Sequence, residues 1–284
     1  MRFLGTCAAD GMPDPFCSCP ICRDARRNPT HKRFRSMFRL DERNLIDCGP
    51  DFNAACMKFD QDMTPLENIF ITHTHEDHCC FSNIGLLKMS MTRETVPVDV
   101  FLSEEGYNML MKLREALGET FRYFDAVRSL DSGLVRLHPV KPFEPFLRDG
   151  YEIMAVKTTH RVSDGETAVN YLFEKDGRKL LYACDTGYYP PQTLEALRGK
   201  KIDTLVMECT WGSRTDTSTA THLNCEAFVN MLEILLTEQI IRPDTAIYAT
   251  HINHKHDLNH DAMQAWFDAN SPMKVTVAWD GLSI

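Results

Sequence analysis

Within six residues the chain places three histidines and an aspartate, His73-Thr-His75-Glu-Asp77-His78. Imidazole nitrogen and carboxylate oxygen suit Zn and harder divalent ions, and donors at this density can surround more than one ion. The stretch follows directly on Asn68 to Thr72, a β-branched and aromatic run that reads as a short strand. In extended backbone His73 and His75 point to one side, because strand side chains alternate; Asp77 and His78 reach the same place only if the chain turns. Other apolar runs also end just before polar residues: Ile153 to Thr158 before His160, Lys179 to Ala183 before Asp185, and Ala246 to Thr250 before His251. Taken singly, each has an ordinary surface or hydrogen-bonding role as its commoner use.

A second cluster, Cys17-Ser-Cys19-Pro-Ile-Cys22, offers three thiolates. It can fold around tetrahedral Zn if a fourth ligand comes from elsewhere, since no second cysteine pair lies close in sequence; an incidental group of thiols is the equal alternative. Eleven cysteines in 284 residues do not make a disulfide framework, because a chain of this length buries a sufficient core without staples. A reducing cytoplasm is the expected compartment. Cys79 and Cys80, next to the histidines, read as packed thiols rather than nucleophiles, lacking an activating partner in the sequence.

These groups need rigid elements to carry them. Strands are predicted at Arg2 to Cys7, Asn44 to Cys48, Asn68 to Thr72, Val98 to Leu102, Ile153 to Thr158, Val169 to Glu174, Lys179 to Ala183, Asp203 to Glu208, Ala246 to Thr250 and Lys274 to Ala278. Asp176-Gly177 is a hairpin signal between two of them. Helices are predicted at Phe52 to Gln61, Glu104 to Leu117, Thr193 to Leu197, Asn224 to Glu238 and Asn259 to Asp268. Strands interspersed with helices mean α/β or α+β, and their order alone does not choose. Nothing resembles a repeat or an interdomain linker, so one domain over 1–284 is expected. No apolar run is long enough for a membrane span, and the N-terminus lacks an apolar signal segment, so export is not expected. The net charge of -9 argues against an extended nucleic-acid surface, whose affinity comes from Lys and Arg on phosphates. The basic run Arg23 to Arg39 either contacts phosphate or forms a solvated face paired with acidic neighbours.

The motif His73-x-His75-x-Asp77-His78 after an apolar strand resembles the signature of the metallo-β-lactamase superfamily, and the later strand-end residues extend the resemblance over nearly the whole chain. It implies an α+β fold, a four-layered αββα sandwich. It also implies that His73, His75 and His160 hold one ion, that Asp77, His78 and His251 hold the other, and that Asp185 bridges them. The family's motif often continues into an early glycine; here Cys79, Cys80, Phe81 and Ser82 precede Gly85, which leaves the following turn open. The cysteine cluster is similar to that of a narrower branch, the phosphoribosyl cyclic-phosphate phosphodiesterases of phosphonate degradation. That likeness implies a structural zinc on Cys17, Cys19, Cys22 and His254. The pyrroloquinoline-quinone biosynthesis branch shares the knuckle but tends to lack the full catalytic ligand set retained here.

Thr221-His222-Leu-Asn resembles the Gly-His-Leu-Ser/Thr motif of phosphodiesterases and tRNA 3′-processing nucleases in the superfamily, with Thr221 in place of glycine. The resemblance implies that His222 binds phosphate and protonates the leaving group; a local role at a helix start is the alternative. The expected activity is hydrolysis of a small phosphodiester, cyclic nucleotide-like or a sugar phosphate, by a hydroxide activated on two divalent ions, Zn or Mn, with Asp77 also orienting the water. A thioester or lactam hydrolase and a noncatalytic or cofactor-biosynthesis metal-binding protein are the competing readings. Relatives are often dimeric, so a homodimer is compatible.

Overall fold

The computed structural model describes residues 1–91, 97–120, 125–162 and 165–284. Six strands, β1 (Arg2–Gly5), β2 (Met37–Arg39), β3 (Asn44–Ile46), β4 (Asn68–Phe70), β5 (Val98–Ser103) and β6 (Val135–Val140), lie side by side in chain order. The first two pairings are antiparallel and the next three parallel. Seven more, β7 (Phe146–Arg148), β8 (Tyr151–Arg161), β9 (Thr167–Lys175), β10 (Arg178–Ala183), β11 (Ile202–Glu208), β12 (Ile241–Thr250) and β13 (Val275–Val277), form a second sheet, antiparallel up to β10 and parallel from there on. Parallel pairs need crossovers, and helices supply them. The helices are α1 (Pro20–Arg27), α2 (Phe52–Lys58), α3 (Phe81–Ile84), α4 (Glu104–Thr120), α5 (Asp125–Asp131), α6 (Pro191–Leu197), α7 (Cys225–Thr237) and α8 (His260–Asn270).

Strand periodicity divides the apolar residues among three interfaces. Phe70, Phe101, Val169, Tyr171, Phe173, Tyr182 and Val206 pack between the sheets. Their neighbours Ile69, Ile71, Val98, Val100 and Leu102 face outward onto Ala55 of α2, Leu110 of α4 and Val127 of α5. On the other side Leu172, Leu181, Ala183, Leu205 and Met207 pack against Ile21, Leu197, Phe228, Leu232, Leu235 and Phe267 of α1, α6, α7 and α8. Alternate residues on each strand thus serve opposite layers, and the result is helix, sheet, sheet, helix. This is the four-layered αββα sandwich, and among the described residues no helix is long and apolar enough to cross a membrane.

Most predicted elements are present with shifted ends, and the hairpin turn has both Asp176 and Gly177 at positive φ, 52° and 74°, as a two-residue turn requires. Six elements escaped the sequence reading: α1, α3, α5, β2, β6 and β7. Several basic residues of the run Arg23 to Arg39 are engaged within the chain. Arg26 donates to the carbonyls of Cys17 and Asp14 at 2.7 Å each, buried Arg33 to Thr6 Oγ1 at 2.6 Å and Ala278 O at 2.5 Å, and Arg35 pairs with Asp51 at 3.0 Å. The basic residues bind the N-terminal segment to the sandwich because their guanidinium forks satisfy carbonyls that no strand partner reaches.

Candidate active site

The parallel strands of both sheets end on one edge of the sandwich, where side chains stand on fixed elements beside open loops. Asp47 follows β3, His73 follows β4, Asp185 follows β10, Glu208 ends β11 and His251 follows β12. His160 departs from expectation: it lies inside β8, which continues to Arg161 through a register irregularity after Lys157. Asp47, Asp185 and His251 have φ of 62°, 57° and 55°. Such left-handed backbone is uncommon for residues with a side chain and costs about 1–3 kcal/mol each; it turns the side chains off the strand ends toward one another.

The histidine turn closes on itself, with the N–H groups of His78 and Cys79 donating to His75 O at 3.0 and 2.8 Å. It is docked on the loop after β3 through Cys48 N–H to His78 O at 2.7 Å. A Cβ on Gly49 would lie 2.1 Å from Asp77 O, so only glycine admits this approach. The turn therefore takes its shape from Gly49, in another loop, and Cys79 is buried on the helix side of the first sheet.

The structure brings all seven predicted ligands together. His73 Nε2 lies 2.9 Å from His75 Nδ1, which is 3.2 Å from His160 Nε2; Asp185 Oδ2 is 3.2 Å from His73 and 3.9 Å from His160. In the second group His78 Nε2 is 3.2 Å from each of His251 Nε2, Asp77 Oδ2 and Asp185 Oδ2, and Asp77 Oδ2 is 3.7 Å from His251. Asp185 belongs to both groups. Burial pushes His73 well below the usual histidine range, lowers His75 and pushes His160 down to about 4, so their lone pairs are free. Burial acts against the charges of Asp77 and Asp185, but His78 and His251 prevail and hold both carboxyls well below their usual range. Reciprocally, burial opposes protonation of His251 while Asp185 and Asp77 raise it to about 9. Three neutral imidazoles in the first group, two in the second whose protons a bound cation would displace, and two ionised carboxylates are a donor set that fits divalent cations.

Two buried carboxylates that the sequence reading did not single out orient these rings. Asp47 Oδ2 lies 2.7 Å from His78 Nδ1 and its Oδ1 accepts the Thr72 N–H at 2.8 Å, which turns His78 Nε2 to the centre. Glu208, with no solvent exposure, lies 2.9 Å from His222 Nδ1 and accepts N–H groups from Thr186, Thr210 and Leu223 at 3.1, 2.9 and 3.2 Å. Both stand at the end of an apolar run, the same signal that marked Asp185. The His222 ring stacks on His251 with centroids 5.7 Å apart and lies 4.7 Å from His160. Burial opposes its charge, but Glu208 and then Asp185 raise its pKa. The cavity over the cluster, about 370 Å³, is walled by His75, Asp77, His160, His222, His251, Trp211, Asp10 and Lys255.

Cys17, Cys19, Cys22 and His254 also converge, with His254 Nδ1 3.6 Å from Cys19 Sγ. Cys19 is the N-cap of α1, its sulfur accepting the Cys22 N–H at 3.4 Å, so the helix start forms the knuckle. Burial opposes thiolate formation at Cys19, but that N–H and His254 prevail and bring it to about 7. His256 is buried against Gly212, His260 Nδ1 lies 2.9 Å from Arg33, and burial lowers both to about 4.

Fold and site together define a metal-binding hydrolase architecture, and residues 42–252 match the family described as the beta-lactamase superfamily domain. The chain belongs to that family, the metallo-β-lactamase superfamily. Coenzyme PQQ synthesis protein B of Acinetobacter baumannii (strain SDF) is 26% identical over 162 residues, 52% of this chain and 48% of that protein. Ribonuclease Z of Archaeoglobus fulgidus is 28% identical over 139 residues, 49% of this chain and 40% of that protein. The chain thus spans less than half the length of either curated relative. A solved diphosphatase of the PhnP family superposes with a TM-score of 0.70 at 23% identity, covering 99% of this chain and 95% of that one, a likeness of fold.

Proposed function

We propose that this protein is a dinuclear metal-dependent phosphodiesterase acting on a small diester, cyclic nucleotide-like or a sugar phosphate. His73, His75 and His160 would hold one ion, Asp77, His78 and His251 the other, and Asp185 both. When bound, the ions, Zn or Mn, would supply positive charge to phosphoryl oxygens and ionise water near neutral pH. Asp77 also orients the attacking water from the cavity wall. The observation that carries the phosphodiester reading is His222 beside the cluster with buried Glu208 at 2.9 Å. With Nδ1 committed to Glu208, Nε2 is the nitrogen that can give a proton to the departing oxygen or donate to a phosphoryl oxygen. A β-lactam or thioester hydrolase would not depend on that pair.

The knuckle residues Cys17, Cys19, Cys22 and His254 would hold a structural zinc, fixing the N-terminal segment next to the cavity. The core shared between the sheets supports reading 1–284 as one domain. The similarity to a PQQ synthesis protein favours, as a second reading, a noncatalytic or cofactor-biosynthesis role. Turnover of bis(p-nitrophenyl) phosphate by metal-loaded protein separates the two. The expected result is metal-dependent hydrolysis that Asp77→Ala and His222→Ala each lower by about 10²-fold or more; a loaded wild type without diesterase activity refutes the proposal.

A further inference from the structure

We infer that Glu166 is a positioning residue for the His73, His75 and His160 group, locking the peptide between the first two histidines to β5 and to the chain beyond the third. The inference rests on the reading that these histidines hold an ion. Glu166 is 3% exposed. Its Oε1 accepts the Thr74 N–H and the Ser103 hydroxyl at 3.2 Å each, and its Oε2 accepts the Thr74 hydroxyl. Ser103, the last residue of β5, accepts the Gly106 N–H at 3.0 Å in the first turn of α4. The Glu166 carbonyl accepts the Val162 N–H at 2.7 Å, two residues past His160. One residue therefore gathers the segments that carry all three rings, its carboxylate holding Thr74 between His73 and His75 and its backbone carbonyl the chain beyond His160.

Two features separate this from packing. Burying a carboxylate is costly, and an apolar side chain would fill the space without that cost, so the group is better explained by what its hydrogen bonds hold in place. The helix start also leaves room for it: a Cβ on Gly106 would lie 2.9 Å from Glu166 Oε1, 3.0 Å from Ser103 Oγ and 3.1 Å from Thr74 Cγ2. Glycine gives up helix propensity there, and the gap admits the carboxylate.

The test is metal affinity. Stripped protein is titrated with cobalt(II), whose sulfur charge-transfer band reports the knuckle separately from the nitrogen and oxygen sites, and then with zinc against a chromophoric chelator. Glu166→Ala is expected to weaken one active-site ion by about 10–100-fold, the usual effect of losing a group that orients a ligand, with the second ion and the knuckle band unchanged. Glu166→Gln should keep most of the affinity, because its oxygen still accepts from Thr74 N–H and Ser103 while its amide donates to the Thr74 hydroxyl. Gly106→Ala should weaken the same ion with Glu166 intact. Wild-type affinity for both active-site ions in Glu166→Ala would overturn the inference. So would equal loss of every ion and of folding in the Ala and Gln variants. A wild type that takes up cobalt only at the knuckle would instead fail the metal-centre reading, and the inference with it.

Discussion

At the scale of single residues, several rings of the site have one nitrogen already committed: His73 Nδ1 lies 3.1 Å from Thr72 Oγ1, and Asp47 and Glu208 face His78 Nδ1 and His222 Nδ1. Asp47 is the clearest case: Thr72 N–H and the Thr72 hydroxyl occupy Oδ1, and Oδ2 faces His78 Nδ1 at 2.7 Å. In Asp47→Asn the amide would present a donor to that nitrogen and favour the wrong tautomer, with the proton on Nε2. Zinc titration should show about 10–100-fold weaker binding of the ion on the His78 side, the His73, His75 and His160 ion being retained. Glu208 plays the corresponding part for His222. Glu208→Gln should leave both ions in place and lower kcat by at least about tenfold, toward the 10²–10⁴ range a general acid contributes; metal analysis and steady-state kinetics on the same preparation check it.

At the scale of elements, the edge of the sandwich gathers what the sequence scatters. The candidate ligands were legible because the His73 to His78 motif resembles the family's signature and Asp185 and His251, like His73, follow apolar runs; the four layers follow from alternation on the strands. What was not legible has physical causes. Helix α1 is eight residues of mainly polar character inside the knuckle, started by a cysteine rather than by one of the usual capping residues. Strand β6 contains His138 and Pro139, and β7 is three residues long, so neither carries a periodic signal. Glu166 was invisible because its partners Thr74 and Ser103 are distant in sequence. Where the knuckle is concerned, His254 lies in the loop just beyond β12 and His251, so one segment serves both metal groups. His254→Ala should lose the knuckle ion and lower the melting temperature while diester turnover by the remaining folded protein persists; metal counting and calorimetry read the two effects.

For the whole molecule, the proposed metal binding would be linked to folding. The candidate ligands come from both sheets and are assembled only in the folded chain, so bound ions would stabilise it by mass action, about 2.7 kcal/mol at a hundredfold excess over Kd. Chelation should lower the melting temperature, and added Zn or Mn should restore it. The net charge of -9 argues against a broad surface for polyanions, in keeping with the proposed small substrate. The most direct measurement is bis(p-nitrophenyl) phosphate turnover by wild type and His222→Ala, each loaded with metal and counted for bound ions. The account predicts equal ion content, with metal-dependent turnover in the wild type reduced by about 10²-fold or more in the variant. Unchanged turnover in His222→Ala at equal ion content, or none in the loaded wild type, would contradict it.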